Sequence, residues 1–259
     1  MDKIWIIARK ELQGNFVSPI GYIVLSLFSV IAGWFFFNHV NSFNSLVTYY
    51  QMSRQPDVLN QINLNRFVIL PLFQELLMLL SIFLPAITMR LIAEEKKQKT
   101  LELLFTSPVH TYEIILGKYL SVLIFFAIML AITLIYPLIL IFYGSPGPEL
   151  IPIITGYAGL FMVGGCILSI GVFASSITEN QIVAFILTIS IAMVFYIISM
   201  PAAVIGGVFG DIMSYLSLKD QFSGMANAFV DSRAILYYIS FIFVWLFLSH
   251  RVIEGLRVR

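Results

Sequence analysis

The chain has 259 residues, of which 59% are apolar and only 11% charged, and its mean hydropathy is +0.94. A soluble domain carries about 45–50% apolar and about 25% charged residues, so most of this chain has lipid rather than water as its solvent. The net charge of +1 says little, because in a membrane protein the distribution of charge matters more than its sum, and the one cysteine, Cys166, leaves no intrachain disulfide. His39, His110 and His250 are too scattered for a zinc site, and no HExxH occurs.

Residues 2–17 form a basic amphipathic stretch, with Ile4, Trp5, Ala8, Leu12 and Phe16 near helical spacing beside Lys3, Arg9, Lys10 and Glu11. The pattern predicts an interfacial helix that ends at Ser18-Pro19, against the alternative of an ordinary cytoplasmic tail. Six apolar runs follow, at 20–38, 67–89, 119–143, 151–176, 182–205 and 234–249. A spanning helix needs about 20 residues at about 1.5 Å each, and only helices satisfy their own backbone in hydrocarbon. The expected fold is therefore all-α and integral to the membrane, one domain over residues 1–259 with six transmembrane helices. The first run is too long for a cleavable signal and lacks a small-residue cleavage site.

Orientation follows from lysine and arginine in the short loops. With the N-terminus inside, the cytoplasmic side collects 11 of them, Arg90, Lys96, Lys97, Lys99 and Lys118 included, and the other side keeps 4: Arg54, Arg66, Lys219 and Arg233. Both termini are thus expected in the cytoplasm. The polar stretch 39–66 is expected as an outer loop making at most a small cap, and 144–150 as a tight outer turn. Residues 206–233 mix glycines with Phe209, Met213, Phe222, Met225 and Phe229, too polar to span and too apolar for water. Short helices dipping into the outer leaflet fit this composition, and a plain surface loop is the alternative.

Between the second and third runs lies 90–117, RLIAEEKKQKTLELLFTSPVHTYEIILG. Glu94, Glu95, Lys96, Lys97 and Lys99 carry the second helix into water. Thr100 is placed to cap a new helix, Glu102 suits its first turn, and Leu101, Leu103, Leu104 and Phe105 make two apolar turns stopped before Pro108. Thr111 is expected to cap the following helix, with Glu113 in its first turn. An apolar helix standing between charged stems must bury against something, either a cytoplasmic partner or the lipid headgroups.

Within the spans, Glu75 is the only deep charge, nine residues from Arg66 and about 13 Å in at helical rise. Beside Gln74, and flanked by Pro71 and Pro85, it either lines a substrate path or ties two helices together. Gly159, Gly164, Gly165 and Gly171 in the fourth run read as close helix packing rather than a ligand site. No GxxxxGK[ST] occurs, so any ATP hydrolysis belongs to another chain.

The segment TMRLIAEEKKQKTLELLFTSPVHTYEIILGKYL resembles the signature loop of type 2 ABC transporter permeases: an acidic pair, then T-L-E-L-L, S-P and G-K. SSITENQIVAFIL and YLSLKDQFSGMANAFVDSRAILYYISFIFVWLFLSHRVIE are similar to the gliding-motility (GldF-like) branch. That family usually has glycine where Lys99 stands here. The resemblance implies a non-enzymatic permease subunit of an exporter-type ABC transporter in the bacterial inner membrane. It implies that Glu94, Glu95, Thr100, Leu101, Glu102, Leu103, Leu104, Phe105, Thr106, Ser107 and Pro108 form the ATPase-coupling loop, with 101–107 as coupling helix. It further implies that 2–17 is an elbow helix and that 206–233, with Phe222, Gly224, Asp231 and Arg233, forms a re-entrant outer gate. The implied partners are a cytoplasmic ABC ATPase dimer, which would hold ATP and Mg, and a second permease copy or a related membrane subunit with a larger extracytoplasmic part. This chain would bind no cofactor, metal or nucleic acid. The competing readings are a secondary transporter, which should show inverted repeats and several buried charges, and a structural subunit of a larger membrane complex. An intramembrane enzyme would need paired aspartates, zinc or a Ser/His pair within the spans, and none is found.

Overall fold

Apolar runs of this length close their hydrogen bonds within themselves, and the chain is accordingly helical. The structure, a computed structural model, describes residues 2–53, 63–100, 109–144 and 147–257, and among them no strand occurs. The expected coupling helix, 101–107 with Pro108, lies outside the described residues.

Helix α1, Asp2–Val17, ends where Ser18 takes extended backbone and its hydroxyl accepts from Ile20 N, which starts α2, Pro19–Met52. Proline at the first helical position loses no intrahelical bond. The sequence reading ends this helix at residue 38, but α2 continues through the expected loop to Met52. In its polar part the Ser45, Thr48 and Ser53 hydroxyls donate to carbonyls four residues back, so these side chains are satisfied on the helix itself. At about 1.5 Å per residue α2 is about 50 Å long, well over a hydrocarbon core of about 30 Å.

A π-helical turn, Asn65–Ile69, runs straight into α3, Leu70–Thr88. After a turn at Met89–Ile92 comes the short α4, Ala93–Lys97. Helix α5, Thr111–Thr133, starts one residue earlier than the cap assigned to Thr111. The extended residue is His110, and the Glu113 carboxylate accepts from its backbone N–H at 2.8 Å. Pro137 lacks an N–H and crowds the carbonyl of Thr133, which splits the third apolar run into α5 and α6, Ile135–Tyr143. The freed Thr133 carbonyl accepts instead from the Tyr157 hydroxyl at 2.8 Å.

Helix α7, Leu150–Ile177, is the centre of the bundle and packs against α3, α5, α8 and α12. Between helices in lipid there is no hydrophobic driving force, so close van der Waals fit must hold them together. Its small residues supply that fit: a Cβ added at Gly164 would stand 2.2 Å from the Phe126 ring, and one at Gly171 would stand 2.0 Å from Thr88 Oγ1. The packing role expected of these glycines is what their surroundings show. Helix α8, Gln181–Ile197, buries Ala184, Thr188 and Ala192, a small-residue stripe at four-residue spacing.

Among the described residues, five stretches are long and apolar enough to cross a membrane: Pro19–Met52, Asn65–Lys97, Thr111–Tyr143, Leu150–Ile177 and Ser232–Leu256. The expected sixth, 182–205, is shorter than its apolar run. Pro201 stops the helix at Ile197, leaving 17 residues in α8 and a separate turn of helix, α9, Ala202–Ile205. The expected outer segment is helical: α10, Gly207–Leu216, and α11, Leu218–Ala226, follow a left-handed turn at Gly206 and Gly207 with φ of 61° and 60°. Helix α12, Ser232–Arg257, completes the chain.

Candidate functional site

The loop that carries the predicted coupling residues is anchored by three elements whose sequences demand partners from one another. Gly117, on α5, lets α1 approach closely, because a Cβ there would stand 2.8 Å from Ile7 Cβ and 3.0 Å from the Ile4 carbonyl oxygen. On α1 Ala8 and Asn15 are buried and Ile4, Ile7, Glu11, Leu12 and Phe16 half-buried, while Trp5 is 56% exposed, so of the predicted apolar face Trp5 alone turns outward and Glu11 turns in.

Next to Gly117, Lys118 is 1% exposed. Its ammonium donates to Glu95 Oε1 at 2.7 Å, the Leu91 carbonyl at 2.8 Å and Glu11 Oε1 at 3.0 Å. Three donors thus meet three acceptors, two of them carboxylates, so no N–H of the buried ammonium is left unpaired. One side chain joins α1, the stem of the loop and α5. Arg90 Nη2 reinforces the joint by donating to Asn15 Oδ1 at 3.3 Å.

On the other side the stem is tied to α7. The Ser175 hydroxyl accepts from the backbone N–H groups of Ile92 and Ala93 at 3.0 and 2.9 Å and contacts the Met89 carbonyl at 3.2 Å. It thereby satisfies two of the orphan donors at the start of α4. Lys96 donates to the Ser176 carbonyl. Helix α4 then closes in a Schellman motif, with Thr100 N to Glu95 O at 3.0 Å and Lys99 N to Lys96 O at 3.1 Å. Lys99 sits at the left-handed position with φ 56°, the place where glycine costs least. The Thr100 hydroxyl donates to the Glu95 carbonyl. Glu94 accepts from the Gln98 amide at 3.2 Å and borders a cleft with Glu11 and Asn15. Leu101, Glu102, Leu103, Leu104, Phe105, Thr106, Ser107 and Pro108 lie outside the described residues.

Sequence reasoning missed Lys118 and Glu11 as a pair. The available signal was a lysine already inside an apolar helix beside a glycine, with acidic residues on two flanking segments.

The remaining predicted residues fall elsewhere. Glu75 Oε1 lies 3.3 Å from His39 Nε2, which joins α3 to α2, while Gln74 is exposed. Phe222 is 2% exposed and packs edge-on to Phe73 and against Gly159. The Gly224 carbonyl accepts from Phe229 N and closes α11, with Ala228 left-handed at φ 66°. Asp231 caps α12, its Oδ1 accepting from Arg233 N at 2.9 Å, and the Arg233 side chain is exposed. Among the described residues no group of His, Cys, Asp or Glu could hold a metal.

Residues 5–218, more than four fifths of the chain, match the family described as ABC-2 family transporter protein. The protein belongs to the ABC-2 transporter family. No curated protein matches the sequence. As an ABC-2 permease it is a membrane component of a transporter and not itself catalytic, in agreement with the signature-loop resemblance. The match includes α1, the loop stem and Lys118. It stops before Phe222, so most of the stretch that carries the gliding-motility likeness lies beyond it.

Proposed function

We propose that this ABC-2 permease is one half of the membrane channel of an exporter-type ABC transporter, with six spans and both termini in the cytoplasm of a bacterial inner membrane. Helix α8 serves as the fifth span, since about 17 residues is the short end of what crosses a bilayer. Segment 101–107 is the coupling helix, docked in a cytoplasmic ATPase dimer that binds ATP and Mg. Helix α1 is the elbow, and α10 and α11 form the outer gate with Phe222, Gly224, Asp231 and Arg233. A second copy, or a related subunit with a larger extracytoplasmic part, completes the channel, and work in gliding motility is the branch-level reading.

The observation that carries this is the Lys118 joint. A segment that transmits force between an ATPase and a bilayer needs a stiff base, and here Lys118 ties the far end of the loop to α1 and to the leading stem, which Ser175 in turn ties to α7. The test is purification of the tagged chain from its own membranes. An ATPase that co-purifies, and hydrolyses ATP in the complex, supports the reading. Substrate movement that follows an ion gradient with no bound ATPase would support a secondary transporter instead.

A further inference from the structure

Pro137 leaves more than a kink in the third span. Two tyrosine hydroxyls flank it, and each ties a different part of the span to a different helix. Tyr157, on α7, donates to the Thr133 carbonyl at 2.8 Å, the carbonyl that Pro137 leaves without a helical donor. Tyr136, on α6, donates to the Ser29 carbonyl of α2 at 2.8 Å. Its ring stacks on Phe36, with centroids 5.1 Å apart and planes at 22°. The hydroxyl end sits in a notch at Gly33, where an added Cβ would stand 3.3 Å from it. Between the two tyrosine bonds the backbone is tightened: Leu134 N donates to Ala131 O, only three residues back, at 3.2 Å. Such a step inside a long helix is a mark of a hinge.

The two hydroxyl bonds differ in what their loss leaves behind. Without Tyr157 the Thr133 carbonyl has no donor, and an unpaired backbone group in hydrocarbon is costly. Ser29 lies inside the continuous helix α2, so its carbonyl keeps its helical bond when Tyr136 lets go. Helix α6 buries Tyr136, Pro137 and Leu140 on one stripe and turns the rest of its side chains outward. A swing of α6 away from α2 therefore costs one hydroxyl bond and one ring stack, and the Thr133 carbonyl at the pivot stays paired.

We propose that α6 is a hinged flap. It pivots at the Thr133–Pro137 turn, is pinned there by Tyr157, and closes on α2 through the Tyr136 clip. Opening the clip parts α2 from α6 in the half of the span beyond Pro137. Neither ATP nor a partner subunit enters this inference, so it stands or falls apart from the transporter reading.

The test uses the full chain in nanodiscs, in a Cys166→Ser background, with nitroxide labels on the exposed positions Val30→Cys of α2 and Phe142→Cys of α6. Pulsed electron spin resonance reads the distribution of distances between them. Tyr136→Phe keeps the ring and its stack and removes only the clip. It should raise the ratio of long to short distances about fivefold, the net worth of one hydrogen bond. Pro137→Ala returns an N–H to the pivot, and in that background Tyr136→Phe should no longer lengthen the distance. A control pair on two fixed helices, Val30→Cys with Ile154→Cys of α7, should read the same in every variant. A distribution that Tyr136→Phe leaves unchanged overturns the proposal. So does a lengthening that persists with Pro137→Ala, or one that the control pair shares.

Discussion

Replacing Lys118 by methionine removes the charge and keeps most of the side-chain volume. Two carboxylates, Glu11 and Glu95, with 22% and 18% of their side chains exposed, then face each other without a cation, and the Leu91 carbonyl loses its donor. Breaking one partner from a buried ion pair costs about 3–5 kcal/mol. The partial exposure of both acids lets water reach them, so the lower end of that range applies. At about 2–4 °C per kcal/mol for a domain of this size, Lys118→Met should melt on the order of 10 °C below the wild type in detergent. Adding Glu11→Gln and Glu95→Gln should recover much of the loss, because neutral groups need no counter-charge and replacing a whole buried pair is often near neutral. The measurement is a thermal melt followed by size-exclusion recovery for the wild type, the single variant and the triple variant. A Lys118→Met chain that melts with the wild type would refute the idea that this joint stiffens the loop base. So would a triple variant no better than the single.

Three further outcomes are expected. Lys99→Gly should stabilise the chain by up to about 1 kcal/mol and leave function intact, because a left-handed backbone costs a side chain about 1–2 kcal/mol, part of which glycine returns as unfolded-state entropy; denaturant or thermal melts read this. Glu75→Ala should destabilise the α2–α3 contact by about 1 kcal/mol through loss of His39's partner, while Glu75→Gln should largely restore it, as melts of the two variants in detergent would show. In a Cys166→Ser background, cysteines at Ser53 or Lys219 should react with an impermeant thiol reagent from outside, whereas those at Lys97 or Arg257 should react only in opened membranes.

Much of the fold was legible because length of apolar run and helix geometry are simple constraints. The first helix, 2–17, has the bounds the amphipathic pattern gives it, and α7 differs from its run by one residue at each end. The misses have local causes. Polarity hid the continuation of α2, since Ser45 and Thr48 satisfy themselves on the helix and carry no turn signal. Pro137 and Pro201 cut apolar runs that hydropathy alone joins. The Lys118 joint pairs residues 23 and 107 positions apart, and no pattern within one segment shows which acid meets a lysine. The departure at Lys99 was visible, but that it takes up the left-handed cap of a Schellman motif is a property of backbone angles.

Segment 101–107 is proposed to dock in the ATPase, and substitutions there test the proposal directly. Leu104→Glu would place an unpaired carboxylate in an apolar ATPase cleft, a cost of several kcal/mol, and Leu104→Ala with Phe105→Ala would remove two anchors worth roughly 1.5–3 kcal/mol each on full burial. The measurement is recovery of the ATPase with the tagged permease from membranes carrying each variant. The permease should insert and dimerise as before, while ATPase recovery falls in the double alanine variant and is lost with Leu104→Glu. Normal ATPase recovery with Leu104→Glu would contradict the coupling-helix assignment and leave the segment to the lipid headgroups.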